Sequence, residues 1–392
     1  MTTTEITKGV YWVGAIDWNQ RNFHGFTTER GITYNAYLVV DEKIALIDTV
    51  KALFYPEMVE RIKEIVPLSK IDYVIANHGE YDHSSGLLYL MEECKNAEIL
   101  CSQAGVTSLR KLYQKNWDLK SVQKGDTLSL GKKTLQFFPT PMHHWPDSMV
   151  TYLKEDSILF SNDAFGQHIA SSKRYADELG IESVFDAAAK YYANIIMPLS
   201  VVALSVLNML SEVKMGMIAP SHGLIFRSNI DNILSLYTKW AKGESNKKVI
   251  VVYDTMWGAT EKMAKAIVEG IISEGIDVDL YNLSYSTRSD IAKEILLSKA
   301  FIVGSPTLHD SLFPTVAEFL YYIRSLKPKN KIAAAFGVYG WKKGITEKIN
   351  TELKSAKIDV IDYSVEVQFA PNEDEINSCI RLGKEIAALL KN

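Results

Sequence analysis

Four side chains able to bind a metal, His78, Glu80, Asp82 and His83, fall within six residues of the stretch NHGEYDHSSG, directly after the apolar run IDYVIA. Imidazoles and carboxylates on a tight loop behind a buried strand can be held around a cation by the rigid sheet beneath them. So many ligands in one loop predict a metal site, and a two-metal one, which needs further donors. The chain offers three, each after an apolar, strand-like run: His144 in PMHHWPDS, Asp163 closing SILFSND and His222 in IAPSHG. All are expected to converge on one rim of a sheet.

A second chemistry sits further along. TMWGAT, which is Thr255, Met256, Trp257, Gly258, Ala259 and Thr260, joins a strand-like run to a helical one. Its hydroxyls, its glycine and the positive end of the following helix suit a phosphate. It matches neither GxxxxGK[ST] nor GxGxxG, so a single phosphate is the expected guest. GSPTLHDSLFP and FGVYGW, with the residues around them, bring Pro306, Thr307, Leu308, His309, Gly337, Tyr339, Gly340 and Trp341 to the same edge. Aromatic side chains beside a phosphate cradle suit a flat ring system, and FMN satisfies both requirements.

The elements that must position these loops follow two rhythms. In the first part VYWVGAID, TYNAYLVV, KIALIDTV, IDYVIAN and EILCSQ read as strands, FYPEMVERIKEIV and SSGLLYLMEEC as helices, and TLSLGKKTLQFFPT and SMVTYLKEDSILFSND as hairpins. Strands in clusters with helices between some of them predict a two-sheet α+β sandwich flanked by helices. AKGESNKK is the best linker, giving domains at 1–245 and 246–392. Beyond it, strands (VIVVYDT, VDLYNL, AFIVGS, KIAAAFGVY, DVIDYSVEVQFA) alternate strictly with helices, which predicts an α/β, flavodoxin-like, five-stranded parallel sheet with its ligand at the carboxyl ends.

Composition limits what such a chain does. Its 392 residues suit two domains, and a net charge of -4 with mixed signs calls for neither nucleic acid nor a membrane surface. MTTTEITKG carries no signal-peptide pattern and no apolar run is read as long enough to span a bilayer, so a cytoplasmic protein is expected. Cys94, Cys101 and Cys379 form no CxxC pair, so any metal is held by histidine and carboxylate.

The HxExDH loop, the histidine of HWPDS, the aspartate after a strand, the later SHG and the TMWGAT module together resemble the flavodiiron proteins, or A-type flavoproteins, over essentially the whole chain. The resemblance implies a metallo-β-lactamase-like αββα sandwich followed by the flavodoxin-like module. It implies that His78, Glu80 and His144 bind one iron, Asp82 and His222 the other, and that Asp163 bridges them, with His83 a ligand in some members and displaced by solvent in others. Related metallo-β-lactamase hydrolases carry HxHxDH; Glu80 in place of the second histidine adds a hard oxygen donor and favours iron over zinc. The implied activity is reduction of oxygen to water, and of nitric oxide to nitrous oxide, at a diiron centre fed through FMN. A diferrous pair and a reduced flavin hold two electrons each, the four that oxygen needs. Nitric oxide reduction as the main activity is the alternative, and a dinuclear metallohydrolase with a flavodoxin module the more distant one. The family's donor is a separate rubredoxin or a reduced deazaflavin coenzyme, and its subunits pair head to tail, as a dimer or a dimer of dimers, so that one flavin faces the other subunit's irons.

Around these residues several side chains have two readings. His24, in FHGFTTERG, is either a turn residue or part of the oxygen pocket that the resemblance implies. Of Tyr191 and Tyr192, the first is assigned to that pocket. His143, beside His144, is read as a residue that supports a ligand or packs, rather than as a ligand itself, and His168 as structural. His309, Val338 and Lys342 depart from the family's flavin loops; a lysine near the pyrimidine end of FMN would raise the potential, so that Lys342→Gly should lower it.

Overall fold

Alternation along single strands builds the first layers. In the computed structural model, which describes residues 3–391, a seven-stranded sheet runs in the order Thr4–Thr7, Val10–Trp12, Tyr37–Val40, Ile44–Ile47, Tyr73–Ala76, Glu98–Ser102, Leu119–Val122. Val39, Ala45, Ile47, Ile75 and Leu100 point to one face and join Leu135, Phe137, Met149, Leu153 and Phe160 of a second sheet in one core. Their neighbours Leu38, Leu46, Val74, Ile99 and Cys101 point the other way, against Met58, Val59 and Ile62 of helix Tyr55–Lys63 and Leu109 of helix Gln103–Tyr113. A two-residue period thus fills both faces of the sheet.

The second sheet is an antiparallel meander, Thr127–Ser129, Thr134–Pro139, Met149–Leu153 and Ile158–Asn162, closed by Met217–Pro220 running parallel to Ile158–Asn162. Both hairpins expected from the sequence are present. VYWVGAID and TYNAYLVV are not single strands. Each breaks, and the pieces Ala15–Asp17 and Ile32–Tyr34 leave the main sheet to pair with each other. Gly14 sits at the first break, where a Cβ would lie 2.3 Å from the carbonyl oxygen of Tyr34.

The flavodoxin-like sheet has the strand order Asp277–Asn282, Asn246–Tyr253, Ser298–Leu308, Ile332–Tyr339, Asp359–Val360, all parallel. DVIDYSVEVQFA breaks into Asp359–Val360 and Val365–Gln368, both paired with Ile332–Tyr339. Order reverses beside Asn246–Tyr253, the switch point where this fold places its ligand. Helix Ile230–Lys242 and strand Asn246–Tyr253 occupy most of AKGESNKK, which therefore offers only three residues outside them. By packing, the chain forms two compact units, one of residues up to Tyr191 with Val201–Tyr237, the other of Tyr192–Ser200 with residues from Thr238 onward. The helical run Ile181–Leu210 is, contrary to the sequence reading, long and apolar enough by composition to cross a membrane. It is a packed helix here, with Val184, Ala188 and Ala189 buried and a π-helical turn at Tyr192–Ile196.

Candidate metal centre and cofactor cavity

Of the metal-binding residues expected from the sequence, Asp82 and His83 lie in the short helix Tyr81–Ser84, which Glu80 caps, and the others just after a strand or in a turn between strands; the rim they share belongs to both sheets of the sandwich rather than to one. Strand Tyr73–Ala76 delivers the His78 loop. Asn77 fixes where that loop begins, its backbone N–H and Nδ2 donating to Asp48 at 2.8 and 3.0 Å and its Oδ1 accepting from the Thr151 hydroxyl at 2.7 Å. Gly79 is required here: its N–H donates to Asp147 Oδ2 at 2.8 Å, and a Cβ would lie 2.4 Å from that oxygen. Strands Ile158–Asn162 and Met217–Pro220 run parallel, so Asp163 and the His222 loop emerge side by side.

All seven residues come together in two groups, His78, Glu80, His144 and Asp163 in one, Asp82, His83 and His222 in the other. Asp163 spans both. Its Oδ2 lies 3.6 Å from His78 Nε2 and 3.2 Å from His144 Nε2, and its Oδ1 lies 3.2 Å from His83 Nε2 and 3.4 Å from His222 Nε2. Glu80 Oε2 is 3.2 Å from His78 Nε2 and 3.4 Å from His144 Nε2; Asp82 faces His222 at 3.2 Å and His83 at 3.4 Å.

His78 Nε2 and Glu80 Oε2 hydrogen-bond at 3.2 Å, but several of the other atoms are close without bonding one another. Both oxygens of Asp82, Nε2 of His83 and Oδ2 of Asp163 are buried and make no hydrogen bond. They point at common centres, which is what a pair of cations requires. Charge says the same. Burial pushes the Asp163 carboxyl up, yet His83, His144 and His222 hold it well below the usual range; burial lowers His144 and His222, yet Asp163 with Glu80 or Asp82 raises them to about 9 and about 10. Three buried carboxylates demand positive charge, which protons or metals supply. The remaining ring nitrogens are oriented from behind: His78 Nδ1 donates to Asp147 at 3.2 Å and His222 Nδ1 to the Thr33 carbonyl at 2.7 Å. The sequence reading did not assign Asp147, although it stands in HWPDS, three residues beyond His144.

His24 and Tyr191 both reach this centre. His24 Nε2 donates to Glu80 Oε1 at 2.7 Å while its side chain stays 61% exposed. The Tyr191 hydroxyl donates to Asp163 Oδ1 at 2.9 Å. Tyr192 turns away and bonds Ser200. His143 is buried, burial taking it down to about 4, and is in neither group. His168, read as structural, lies close to the centre, with its ring 5.5 Å from that of His222.

At the carboxyl edge of the flavodoxin-like sheet is a cavity of about 300 Å³. Met256, Trp257, Pro306, Thr307, Leu308, His309, Tyr339, Gly340 and Trp341, all expected there, line it, together with Val338 and Lys342. Asp310 and Phe369 line it too and were not foreseen. Gly337 does not: it packs inside its strand, where a Cβ would be 2.4 Å from Ile345 Cγ2. Thr255, Gly258, Ala259 and Thr260 form the turn below. Gly258, at φ 83, caps helix Ala259–Ser273 and donates its N–H to the Thr255 hydroxyl at 3.0 Å. The hydroxyls of Thr260 and Thr307 are buried without partners. An orphaned hydroxyl at a fifteen-residue helix N-terminus and another near the end of strand Ser298–Leu308, beside exposed aromatic rings, fit a phosphorylated flat ring. Lys342 pairs with Asp310 at the cavity wall.

Comparison with known proteins places both halves. The model of the ODP family of β-lactamases matches residues 32–223 and that of flavodoxin residues 251–383. The chain is 45% identical to a protein named nitric oxide reductase from Moorella thermoacetica over 98% of each chain. Among solved structures it is similar to the rubredoxin oxygen:oxidoreductase of Desulfovibrio gigas (39% identity, TM-score 0.97, covering 100% and 99%) and to the flavodiiron protein of Giardia intestinalis (37%, 0.97, 100% and 97%). The chain belongs to the flavodiiron proteins. As a flavodiiron protein it is an oxidoreductase with a metallo-β-lactamase-like and a flavodoxin-like part, and its cofactors are FMN and a pair of non-haem irons.

Proposed function

We propose that this flavodiiron protein reduces oxygen to water with electrons from an external donor, and that it also accepts nitric oxide. The observation that carries this is Asp163, with one oxygen turned to each group of histidines, beside a Glu80 that makes the set rich in hard donors. FMN and the irons, when bound, supply the redox chemistry and the four electrons that oxygen needs.

The protein's own residues do the rest. His78, Glu80 and His144 would hold one iron, Asp82, His83 and His222 the other. Asp147 and the Thr33 carbonyl keep ring nitrogens aimed at them. His24, bonded to Glu80 and open to solvent, is placed to bring in protons; Tyr191 steadies the shared carboxylate. Thr260 and Thr307 would take the flavin phosphate, and Trp257, Tyr339 and Trp341 would flank its ring. The metal-binding domain at 1–245 and the flavin domain at 246–392 would be joined in a cytoplasmic, head-to-tail dimer. Trp257 and Trp341, 94% and 88% exposed at the cavity, support a face covered by a second copy.

The test is consumption of oxygen and nitric oxide, side by side, by iron- and FMN-loaded protein fed by reduced rubredoxin or by a reduced deazaflavin coenzyme. Oxygen loss without hydrogen peroxide is expected. Preferential loss of nitric oxide would make it a nitric oxide reductase, the reading that the Moorella relative favours. Zinc in the purified protein, with neither gas consumed, would return it to the hydrolases.

A further inference from the structure

A wall of rings closes one side of the second metal group, and His168 stands inside it. Its imidazole lies flat on Phe26, with ring centres 5.5 Å apart and 14° between planes, and edge-on to Tyr191 at 4.8 Å and His222 at 5.5 Å, with Phe23 at 5.2 Å. The backbone is pinned on both sides, Gln167 N–H to the His222 carbonyl at 3.2 Å and Ala170 N–H to the Arg30 carbonyl at 2.8 Å. The ring therefore has little freedom to turn. Yet its Nε2 is shut off from solvent and has no hydrogen-bond partner among the described residues. Such a nitrogen has given up its water for nothing, and a phenylalanine would fill the same aromatic cage without that loss.

The neighbours show what the nitrogen is for. Tyr191 bonds the shared carboxylate and His222 faces Asp82 and Asp163. Phe23 and Phe26 come from the hairpin Asn22–Thr27, which also carries His24 to Glu80. One hairpin thus serves both groups, with a polar ring at the first and an apolar pair at the second.

We propose that His168 is a catalytic residue of the gas pocket, whose Nε2 is the hydrogen-bond partner of the diatomic substrate held beside Asp82, His83 and His222. This deepens the oxygen-reductase reading and rests on it. Phe23 and Phe26 exclude water and admit an apolar gas; the His168 N–H then orients it and meets the negative charge that develops on it. His24 acts at the other group, so the two histidines are not interchangeable.

The test compares His168→Phe and His168→Gln in the iron- and FMN-loaded protein. His168→Phe should raise KM for the gas about tenfold, with kcat falling less, and shift the N–O stretch of nitric oxide bound to the protein. His168→Gln, which keeps a donor, should restore both toward wild type. Both variants should hold two irons, and His168→Phe should melt no lower than wild type. An unchanged KM and stretch in His168→Phe, or loss of iron from it, would overturn the assignment. Wild-type protein that binds nitric oxide but turns over neither gas would sink the oxygen-reductase reading, while the stretch still decides His168.

Discussion

Tyr191 donates its hydroxyl to Oδ1 of Asp163 at 2.9 Å, on the oxygen that faces His83 and His222, while Oδ2 faces His78 and His144. The tyrosine thus biases one half of a shared carboxylate. A hydrogen bond to a charged group contributes roughly 1.5–3 kcal/mol. Tyr191→Phe should therefore cut kcat about tenfold while leaving two irons bound, as read by turnover beside metal analysis.

Asp163→Asn removes the one carboxylate that both groups share. Iron bound per chain should fall to one or less, and a plain flavin reductase activity toward dyes should survive. Full activity in this variant, or in His144→Ala, would instead leave the protein an electron carrier whose first domain only docks.

Behind the ligands, Asp147 accepts from His78 Nδ1 and from the Gly79 N–H. Removing such an orienting carboxylate typically costs 10–100-fold in metal affinity. Asp147→Ala should show that loss in chelator competition.

Lys342 and Asp310 pair at the flavin cavity, where Lys342, with Lys348 further off, holds the Asp310 carboxyl below its usual range. Lys342→Gly should lower the flavin potential and Asp310→Asn should raise it. Both side chains are largely exposed, so each shift should be small and should shrink as salt is added. The double variant should sit near wild type, and equal shifts of the same sign would rule out electrostatics as the cause.

Lys331 is buried, its ammonium donating to the carbonyls of Leu296 and Ser298, and burial takes it down to about 7. The folded pKa lies below the unfolded one, so the unfolded chain binds more protons between pH 7 and 10.5. The penalty is complete below pH 7 and fades as pH rises, by at most about 1.4 kcal/mol per pH unit. Urea midpoints of wild type and Lys331→Met should therefore converge as the pH is raised from 7 to 10.

The metal ligands were legible because each follows an apolar run that had to be a strand, and strand ends are fixed points. The flavin loops were legible for the same reason. Residues that act from a distance were not. Asp310 meets Lys342 from another loop, Thr33 meets His222 across most of the first unit, and no local pattern announces either contact. A lone histidine such as His168 gives no sign, in sequence, that its ring nitrogen lacks a partner among the described residues. The broken strands at Gly14 and near Asp362 were missed because hydrophobic alternation continues through both breaks while the backbone does not.

The loop that carries His222 is sewn to parts of the chain made long before it: Ser221 N–H reaches the Asn162 carbonyl, Asn35 N–H the Ser221 carbonyl, and Gly223 N–H the Thr33 hydroxyl. During synthesis at about 5–20 residues per second, roughly 7 to 28 s separate the appearance of Glu80 from that of His222. Through that interval a nascent chain displays an unfinished nest of carboxylates and imidazoles, which lacks His144 and Asp163 at first and His222 to the end. Correct metallation is then a matter of timing as well as affinity, and a cell rich in zinc could claim the half-built site before iron does.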